Sequence, residues 1–428
     1  MKDIKKNILF FSLLILFSCS KDEDNKQVKA DLLITSISPE IGPKNTPVTI
    51  TGTGFSNTIA NNTVTINGKV CTIVSTTTTQ MNIIIPPSAG SGKIKIVVGD
   101  ANAESNNFEF IVTTTVSTIA GSTQGNADGQ GSSAQFNKPM GIAVDATGNL
   151  FIADTQNHRI RKISPTGLVS TFAGSSLGFA NGTGEVAKFN FPIHITVNKA
   201  GQLFVTDLSN NKIRKITPIG LVDTFPSLVE LGALPVNLNN PFGITSNTDV
   251  GVFVADSNNF KIRRLFSTGN FTVTIAGSVF GTANGQGILS QFANPKGIEI
   301  DDSENLYVAD DGVSKLIRKI STTGLVTTLA GGTAGFIDGQ GTSAKFRELS
   351  DIAVDADGNL FVTDKNCIRK ISPTGLVTTV AGSDTAGFAD GDATIAQFNL
   401  IKGIAIDSQG NLYVADTNNH KIRKITFD

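Results

Sequence analysis

Five charged or titratable side chains interrupt an otherwise regular sixfold sequence repeat, and together they could bind a ligand. The position that opens the first strand of each repeat is glycine in four copies but His194 in the second and Asp351 in the fifth. Lys296 and Lys402 precede this position in two other copies, and Glu299 lies two residues after it, where three copies carry alanine. If they converge on one pocket, these groups would bind a small polar ligand or the end of a peptide. The alternative is a hydrated opening with scattered charges and no ligand.

Metal and catalytic sites have weaker support. The two "DGQG" turns, at 128–131 and 338–341, carry one carboxylate each, whereas a calcium loop needs several regularly spaced oxygen ligands. His158 and His420 fall in the first and last copies, but two histidines without a third ligand make a poor zinc site. The sequence also lacks the G-x-S-x-G nucleophile motif. We therefore predict no metal, no cofactor and no catalytic residue.

The five residues are positioned by a long repeat. An anchor aspartate recurs at intervals of 49 to 54 residues, at Asp154, Asp207, Asp256, Asp310, Asp364 and Asp416. The first copy contains four strand-like segments, which we call a, b, c and d. They span 141–145, 149–154, 159–163 and 168–174. A period near fifty residues with four strands per copy is typical of β-propeller blades.

The two ends of the repeat region complement each other. The last copy stops after its strand c, and an unclaimed strand-d-like segment, "VSTIAG" at 116–121, stands before the first copy. This segment can complete the last sheet and close a ring, which protects the sheet edges. The string "KPMGIAVDATGNLFIADTQNHRIRKI" resembles the NHL repeat, and the resemblance extends over 116–428. It implies an all-β, six-bladed propeller closed by an N-terminal outer strand. Asp154, Arg161 and their copies are predicted to be architectural, because one ligand does not need six identical contacts.

Loop lengths distinguish two faces of the predicted ring. The a–b and c–d turns are short, whereas the d–a loops, such as 121–139 and 174–192, are long and share a face with the b–c loops. We call this the top face, and we expect a ligand there because binding residues concentrate on long loops of rigid scaffolds. The five candidate residues are predicted near its central mouth. The chain has no Trp and two Tyr, so a protein or peptide partner is favoured slightly over a glycan.

Residues 32–113 precede the repeats and read as short strands separated by turn residues. Asn67-Gly68, between two alternating runs, is a strong hairpin signal. The string "SISPEIGPKNTPVTITGTGFS", followed by "VTING" and "IIIPPSAGSGKIKI", resembles the IPT/TIG family. The resemblance implies an immunoglobulin-like sandwich that acts as a spacer or a binding unit.

The N-terminus reads as a targeting segment. Residues 1–18 combine a basic start with an apolar run too short to span a bilayer comfortably. "LFSC" at 16–19 resembles the lipobox of bacterial lipoproteins, and the acidic residues after it resemble the surface-export signal of Bacteroidetes lipoproteins. These resemblances imply a signal peptide over 1–18, a lipid on Cys19, and anchoring in the outer membrane at the cell surface. The charged residues that follow Cys19 predict a disordered tether over 19–31. An ordinary cleaved signal peptide is the alternative.

Composition narrows the function. The net charge is −1 and charged residues make up 17%, so the basic stripe of a nucleic-acid binder is missing and we predict no such partner. Cys71 and Cys367 fall in different predicted domains, and we expect two buried thiols. The sequence therefore favours a non-enzymatic surface lipoprotein that binds a protein, peptide or glycan. Similar propellers include metal-dependent lactone hydrolases and a peptide-amidating lyase, so a metal-dependent hydrolase or lyase is one alternative, and a structural spacer is another.

Overall fold

The computed structural model describes residues 30–225, 229–230, 237–247, 251–266 and 271–428. The chain divides into two compact units, and the boundary along the sequence falls between Ile111 and Val112. Cys19, the predicted signal peptide and the tether up to residue 29 lie outside the described residues. No helix in the described ranges is both long and apolar enough to cross a membrane.

The first unit is a sandwich of two sheets. One sheet has the strand order β1-β3-β7-β6 and the other β2-β9-β8-β4-β5. All pairs are antiparallel except β2 with β9, which is parallel. The strands are β1 (Leu33–Ser38), β2 (Ile41–Gly42), β3 (Pro47–Thr53), β4 (Asn62–Ile66), β5 (Lys69–Val70), β6 (Thr72–Thr76), β7 (Gln80–Ile84), β8 (Gly92–Val98) and β9 (Ala101–Phe110).

Alternating side chains build the core of this sandwich. In β8, Ile94 and Ile96 are fully buried, whereas the lysines at alternate positions are exposed. The period of two follows from the pleat of a strand that has one face on a core. Asn67 (φ 46°) and Gly68 (φ 77°) form the turn between β4 and β5, so the predicted hairpin is confirmed. Cys71 is a buried free thiol in this unit.

The second unit is a β-propeller, whose described residues form six sheets of five strands. We number the sheets by the chain order of their inner strands and keep the letters a to d from the axis outward. Strands a are Pro139–Val144, Pro192–Val197, Pro241–Asn247, Pro295–Ile300, Leu349–Val354 and Ile401–Ile406. Strands b are Leu150–Asp154, Leu203–Asp207, Gly251–Asp256, Leu306–Asp311, Leu360–Asp364 and Leu412–Asp416. Strands c are Arg159–Ile163, Lys212–Ile216, Lys261–Leu265, Ser314–Ile320, Cys367–Ile371 and Lys421–Phe427. Strands d of sheets 1 to 5 are Leu168–Ala173, Leu221–Thr224, Phe271–Ala276, Leu325–Thr333 and Leu376–Gly382.

In sheet 6 the position of strand d is taken by Thr114–Ala120, from the beginning of this unit. It pairs antiparallel with Lys421–Phe427, and Val116 faces Ile425 in the register. The backbone N–H of Asp428 also donates to the carbonyl of Thr113 at 2.9 Å.

A fifth strand of two residues, absent from the sequence-based prediction, lies outside strand d of each sheet. These strands are Gly129–Gln130, Gly182–Thr183, Val229–Glu230, Gly285–Gln286, Gly339–Gln340 and Gly391–Asp392. In sheet 1 the strand comes from the d–a loop that leads into the sheet and pairs with Leu168 and Val169. The long loops are therefore fixed to the outer edge of the sheet that follows them, which also covers that edge.

The helical segments of the described residues are single 3₁₀ turns. They span Ile59–Asn61, Gly131–Ser133, Thr155–Asn157, Gly184–Val186, Leu208–Asn210, Ser257–Asn259, Gly287–Leu289, Gly341–Ser343 and Thr417–Asn419. Four of them follow a strand b directly and form the short b–c connections of sheets 1, 2, 3 and 6.

The repeated aspartate and arginine fasten the loops to the sheets. In sheet 1 the Arg161 guanidinium contacts Asp154 at 2.9 Å and Asp128 at 2.6 Å, and it donates to the carbonyl oxygens of Gln135 and Ala127. Arg161 and Asp154 are both fully buried. Because an unpaired buried charge is costly, the pair and its hydrogen bonds fix one loop conformation. The architectural interpretation of these residues is confirmed.

Successive sheets pack face to face. Phe151 of sheet 1 packs with Ile195 and Leu203 of sheet 2 in one core cluster, and strand b of sheet 1 is buried along its whole length. Strands b therefore read as continuous apolar runs, while strands a form the wall around the axis.

Candidate functional site

The inner strands approach each other so closely at one level of the axis that glycine is required there. A Cβ atom on Gly141 would lie 2.6 Å from the Cα of His194, and one on Gly297 would lie 2.5 Å from the Cα of Asp351. Real Cβ atoms do not come this close to backbone atoms. Close packing against the next sheet therefore explains the glycine in these copies. Sheets 2 and 5 differ, because His194 and Asp351 place a side chain at the same position.

His194 and Asp351 meet across the axis. Nε2 of His194 lies 2.7 Å from Oδ1 of Asp351, although the two residues are 157 positions apart. Their exposed fractions are 6% and 1%, so the pair is buried rather than open to a channel mouth. Asp351 also accepts backbone N–H groups from Ile352 (2.8 Å) and Ile404 (2.9 Å). The pair thus links sheets 2, 5 and 6 at the axis.

The charge state of His194 follows from this geometry. Burial alone disfavours the imidazolium, but the carboxylate of Asp351, with Glu299 nearby, outweighs it and raises the pKa of His194 above its ordinary value. Attraction and a short hydrogen bond to a carboxylate both favour the charged form. Nε2 of His194 therefore carries the hydrogen that faces Asp351, while Nδ1 accepts the backbone N–H of Ile244 at 3.4 Å.

Glu299 lies on the same strand a as Gly297 and is coupled to the pair. Its Oε1 accepts the hydroxyl of Thr245 at 2.6 Å and the backbone N–H of Ile300 at 2.8 Å. Burial, with the negative charge of Asp351 adding to it, raises the pKa of Glu299 to about 7. The carboxyl group is therefore poised between its two protonation states near neutral pH.

A cavity of 810 Å³ lies along the axis beside these residues. His194, Thr196, Thr245 and Glu299 line it together with aliphatic residues of the strands a, and the a–b turns of sheets 4, 5 and 6 complete its wall. These turn residues are Asp301–Ser303, Asp355–Gly358 and Asp407–Gly410. The cavity is thus at the a–b end of the axis, on the face opposite to the one expected from loop length.

Lys296 and Lys402 are placed differently. Neither lines the cavity. Lys296 Nζ lies 2.6 Å from Asp311, which also contacts Lys315 at 2.9 Å, and Lys402 Nζ lies 2.5 Å from Glu348. Burial lowers the pKa of Lys402, although Glu348 opposes that shift. The structure therefore brings His194, Asp351 and Glu299 together, and holds the two lysines in separate ion pairs.

Several residues of this region were missed by the sequence analysis. Asp311 and Glu348 gave no signal, because only the fold shows that they meet the lysines. Asp302 and Asp357 could have been found by comparing the a–b turns. The positions that match Asp302 include Ala146, Lys199 and Ser408, and those that match Asp357 include Thr147, Ala200 and Gln409.

The residues considered for metal binding serve the architecture. Nδ1 of His158 accepts the backbone N–H of Phe191 at 3.2 Å, and His420 accepts that of Lys138 at 3.1 Å. Asp128 contacts Arg161, as described above. Within the described ranges, no group of three or more His, Cys, Asp or Glu side chains is arranged to hold a metal ion.

A second cavity, of 940 Å³, lies in the first unit beside Phe55, Thr78 and Thr79. None of its described lining residues is titratable. This cavity could enclose a ligand but has no charged group to bind one, so the axial cavity is the stronger candidate site.

Comparison with known families agrees with both units. The IPT/TIG domain family matches residues 32–112, and the NHL repeat family matches residues 136–163 and 398–425. The chain therefore carries an IPT/TIG domain followed by NHL repeats.

The curated relatives are longer proteins. The chain is 30% identical to the chloroplastic protein SUPPRESSOR OF QUENCHING 1 of Arabidopsis thaliana over 326 residues, which are 71% of this chain and 26% of that protein. It is 29% identical to human NHL repeat-containing protein 2 over 333 residues, which are 72% of this chain and 42% of that protein. The chain thus spans less than half the length of these relatives.

Solved structures share the fold. An auxiliary nutrient binding protein from Bacteroides ovatus superposes with a TM-score of 0.63 at 18% identity and covers 94% of this chain and 99% of its own. A protein of unknown function from Bacteroides thetaiotaomicron gives 0.63 at 21% identity, covering 93% and 98%. A gluconolactonase from Xanthomonas campestris gives 0.52 at 13% identity, covering 74% and 90%. At these identities the likeness concerns the fold alone.

Proposed function

We propose that this protein is a non-enzymatic binding lipoprotein, anchored in the outer membrane through a lipid on Cys19, whose propeller holds a ligand at the a–b end of its axis. The observation that carries the proposal is the 810 Å³ axial cavity with His194 and Glu299 in its wall. Its volume falls within the range of about 300–1,000 Å³ that ligand pockets occupy. A rigid ring with a few converging polar groups is the usual plan of such a site.

We also propose that residues 116–428 close into a six-bladed ring, and that 32–113 form the sandwich. The pairing of Thr114–Ala120 with Lys421–Phe427 supports this closure. The inner strands support it too, since each contacts the next and that of sheet 6 contacts that of sheet 1. Closure positions the site, because His194 and Asp351 can meet only if sheets 2 and 5 face each other.

The ligand is a protein, peptide or glycan in this proposal, and the cavity favours a small one or a terminal group. Apart from His194, Gln409 and two glycines, its described lining residues are aliphatic, hydroxyl-bearing or acidic, so hydrogen bonds rather than ring stacking would hold the ligand. The top face stays a second candidate because Lys296, Lys315 and Lys402 gather there, paired with the carboxylates of Asp311 and Glu348.

The test is a glycan and peptide array probed with the full chain in detergent. We expect defined hits that disappear in Thr196→Phe, which fills the cavity, and persist in Thr63→Phe, an exposed position on β4. Far-UV circular dichroism must show that both variants are folded. Hits that survive in Thr196→Phe would rule out the axial cavity as the binding site.

The enzyme alternative is supported by a likeness of fold, but the described residues form no matching site. A metal-dependent hydrolase or lyase needs ligands near the axis, and the axial residues here are bonded to each other: His194 to Asp351, and Glu299 to Thr245. The described axial residues do not fit a metal. Stoichiometric zinc or calcium in the purified protein would favour the enzyme over the binding protein.

A further inference from the structure

The charges around the axial cavity are strongly one-sided. Among the described residues that line it, the titratable side chains are Glu299, Asp301, Asp302, Asp355, Asp357, Asp407 and His194. His194 is hydrogen-bonded to Asp351, which does not line the cavity. The cavity wall is therefore net negative, and low-dielectric walls strengthen the field inside such a concavity.

These carboxylates differ in what they already do. Asp301, Asp355 and Asp407 accept hydrogen bonds from the amide groups of their own turns, and so build the turns. Asp302 and Asp357 are exposed at the turn tips, and neither carboxylate receives a hydrogen bond or ion pair from the described residues. Two of the acidic groups are thus available to a ligand at the cavity rim.

Glu299 provides an independent indication at the inner end. It lies on an inner strand and is half-buried, and both hydrogen bonds that it accepts fall on Oε1. Its second oxygen has no donor among the described residues, although the residue lines the cavity. This oxygen is accessible from the cavity and can accept a hydrogen bond from a ligand there.

We infer that the axial cavity binds a small organic cation that bears a protonated primary amine, with the ammonium group at Glu299 and the rest of the molecule toward Asp302 and Asp357. An ammonium group donates up to three hydrogen bonds and compensates the negative wall. This inference rests on the proposed function, since it specifies the ligand of that same cavity. An amino sugar and a polyamine share the required chemistry.

The experiment is calorimetric titration of the full chain in detergent with four probes: glucosamine, N-acetylglucosamine, glucose and spermidine. We expect glucosamine to bind at least about tenfold more tightly than its acetylated and neutral counterparts, because only it offers the cation. Spermidine binding more tightly than glucosamine would assign the polyamine class, and the reverse order the amino sugar. Affinity should fall as NaCl rises, since salt screens the attraction.

Variants locate the effect. Glu299→Gln should weaken glucosamine binding about tenfold, and Asp302→Asn with Asp357→Asn by a smaller factor, while Glu185→Gln on an exposed loop should leave it unchanged. Equal binding of glucose and glucosamine would overturn the inference and leave the binding function intact. The absence of binding by both glucosamine and spermidine would also overturn the inference. The proposed function would then be tested by the glycan and peptide array alone.

Discussion

The buried pair of His194 and Asp351 allows a double-mutant cycle whose control is built into the chain, because four repeats carry glycine at the same position. The cycle comprises Asp351→Gly, His194→Gly and the double variant. Removing one partner of a buried ion pair typically costs about 3–5 kcal/mol, because the remaining charge is uncompensated. The double variant leaves no such charge, so its loss of unfolding free energy should be smaller than the sum of the single losses by about 2 kcal/mol.

The measurement is urea unfolding of the full chain, followed by circular dichroism at pH 6. Two units unfold in this chain, so the propeller transition must be analysed separately from that of the sandwich. Losses that add within about 0.5 kcal/mol would show that the two side chains are not coupled, and would refute the ion pair at the axis.

The pH dependence of the same cycle has a defined sign. The pKa of His194 is raised in the folded state above its ordinary value of 6.5. The stability from its pairing is therefore complete below 6.5 and is lost as the pH rises through the raised folded value. The coupling energy should be largest near pH 6 and should shrink in alkaline buffer. A coupling energy that grows with pH would contradict the assigned charge state.

Three further predictions concern the same architecture. Arg161→Ala should lower the free energy of unfolding of the propeller by about 3–5 kcal/mol, because Asp154 loses its buried partner. The control Lys199→Ala, on an exposed turn, should change it by less than about 0.5 kcal/mol. Equal effects of the two substitutions in urea unfolding would refute the architectural role of Arg161. Burial raises the pKa of Glu299 to about 7, so the wild type loses stability as the pH rises from 5 to 8. The free energy of unfolding of Glu299→Gln should therefore rise relative to that of the wild type over this range, by about 3 kcal/mol at most. A difference between the two proteins that does not change with pH would contradict the raised pKa. Thr115 and Thr426 face each other in the register. The double variant Thr115→Cys with Thr426→Cys should therefore form a disulfide on mild oxidation. Peptide mass spectrometry that finds only free thiols would argue against the closing strand.

The regular parts of the fold could be predicted because local signals repeat. The strands a to d are predicted by periodic apolar runs, short Gly turns and the repeated Asp and Arg residues. The pair Asn67-Gly68 predicts a hairpin. The fifth strands could not be predicted in this way, since a segment such as Gly129–Gln130 is too short for a period and pairs with residues far along the chain.

The candidate site was only partly predictable. Comparing repeats singled out His194, Asp351 and Glu299, which do come together, because departures from a repeat mark positions with a local role. The distance across the axis depends on how closely the inner strands pack at Gly141 and Gly297, and no single-sequence pattern reports that. For the same reason the cavity at the a–b end was missed.

The central claim, that the ligand enters at the a–b end of the axis, is tested most directly by comparing the two faces. A labelled hit from the array would be titrated against the wild type, against Thr196→Phe, and against Lys296→Met with Lys402→Met, which keeps the aliphatic stems on the top face. We predict that binding is lost in Thr196→Phe and retained in the lysine variant. Binding that is retained in Thr196→Phe and lost in the lysine variant would contradict the claim and place the ligand on the top face.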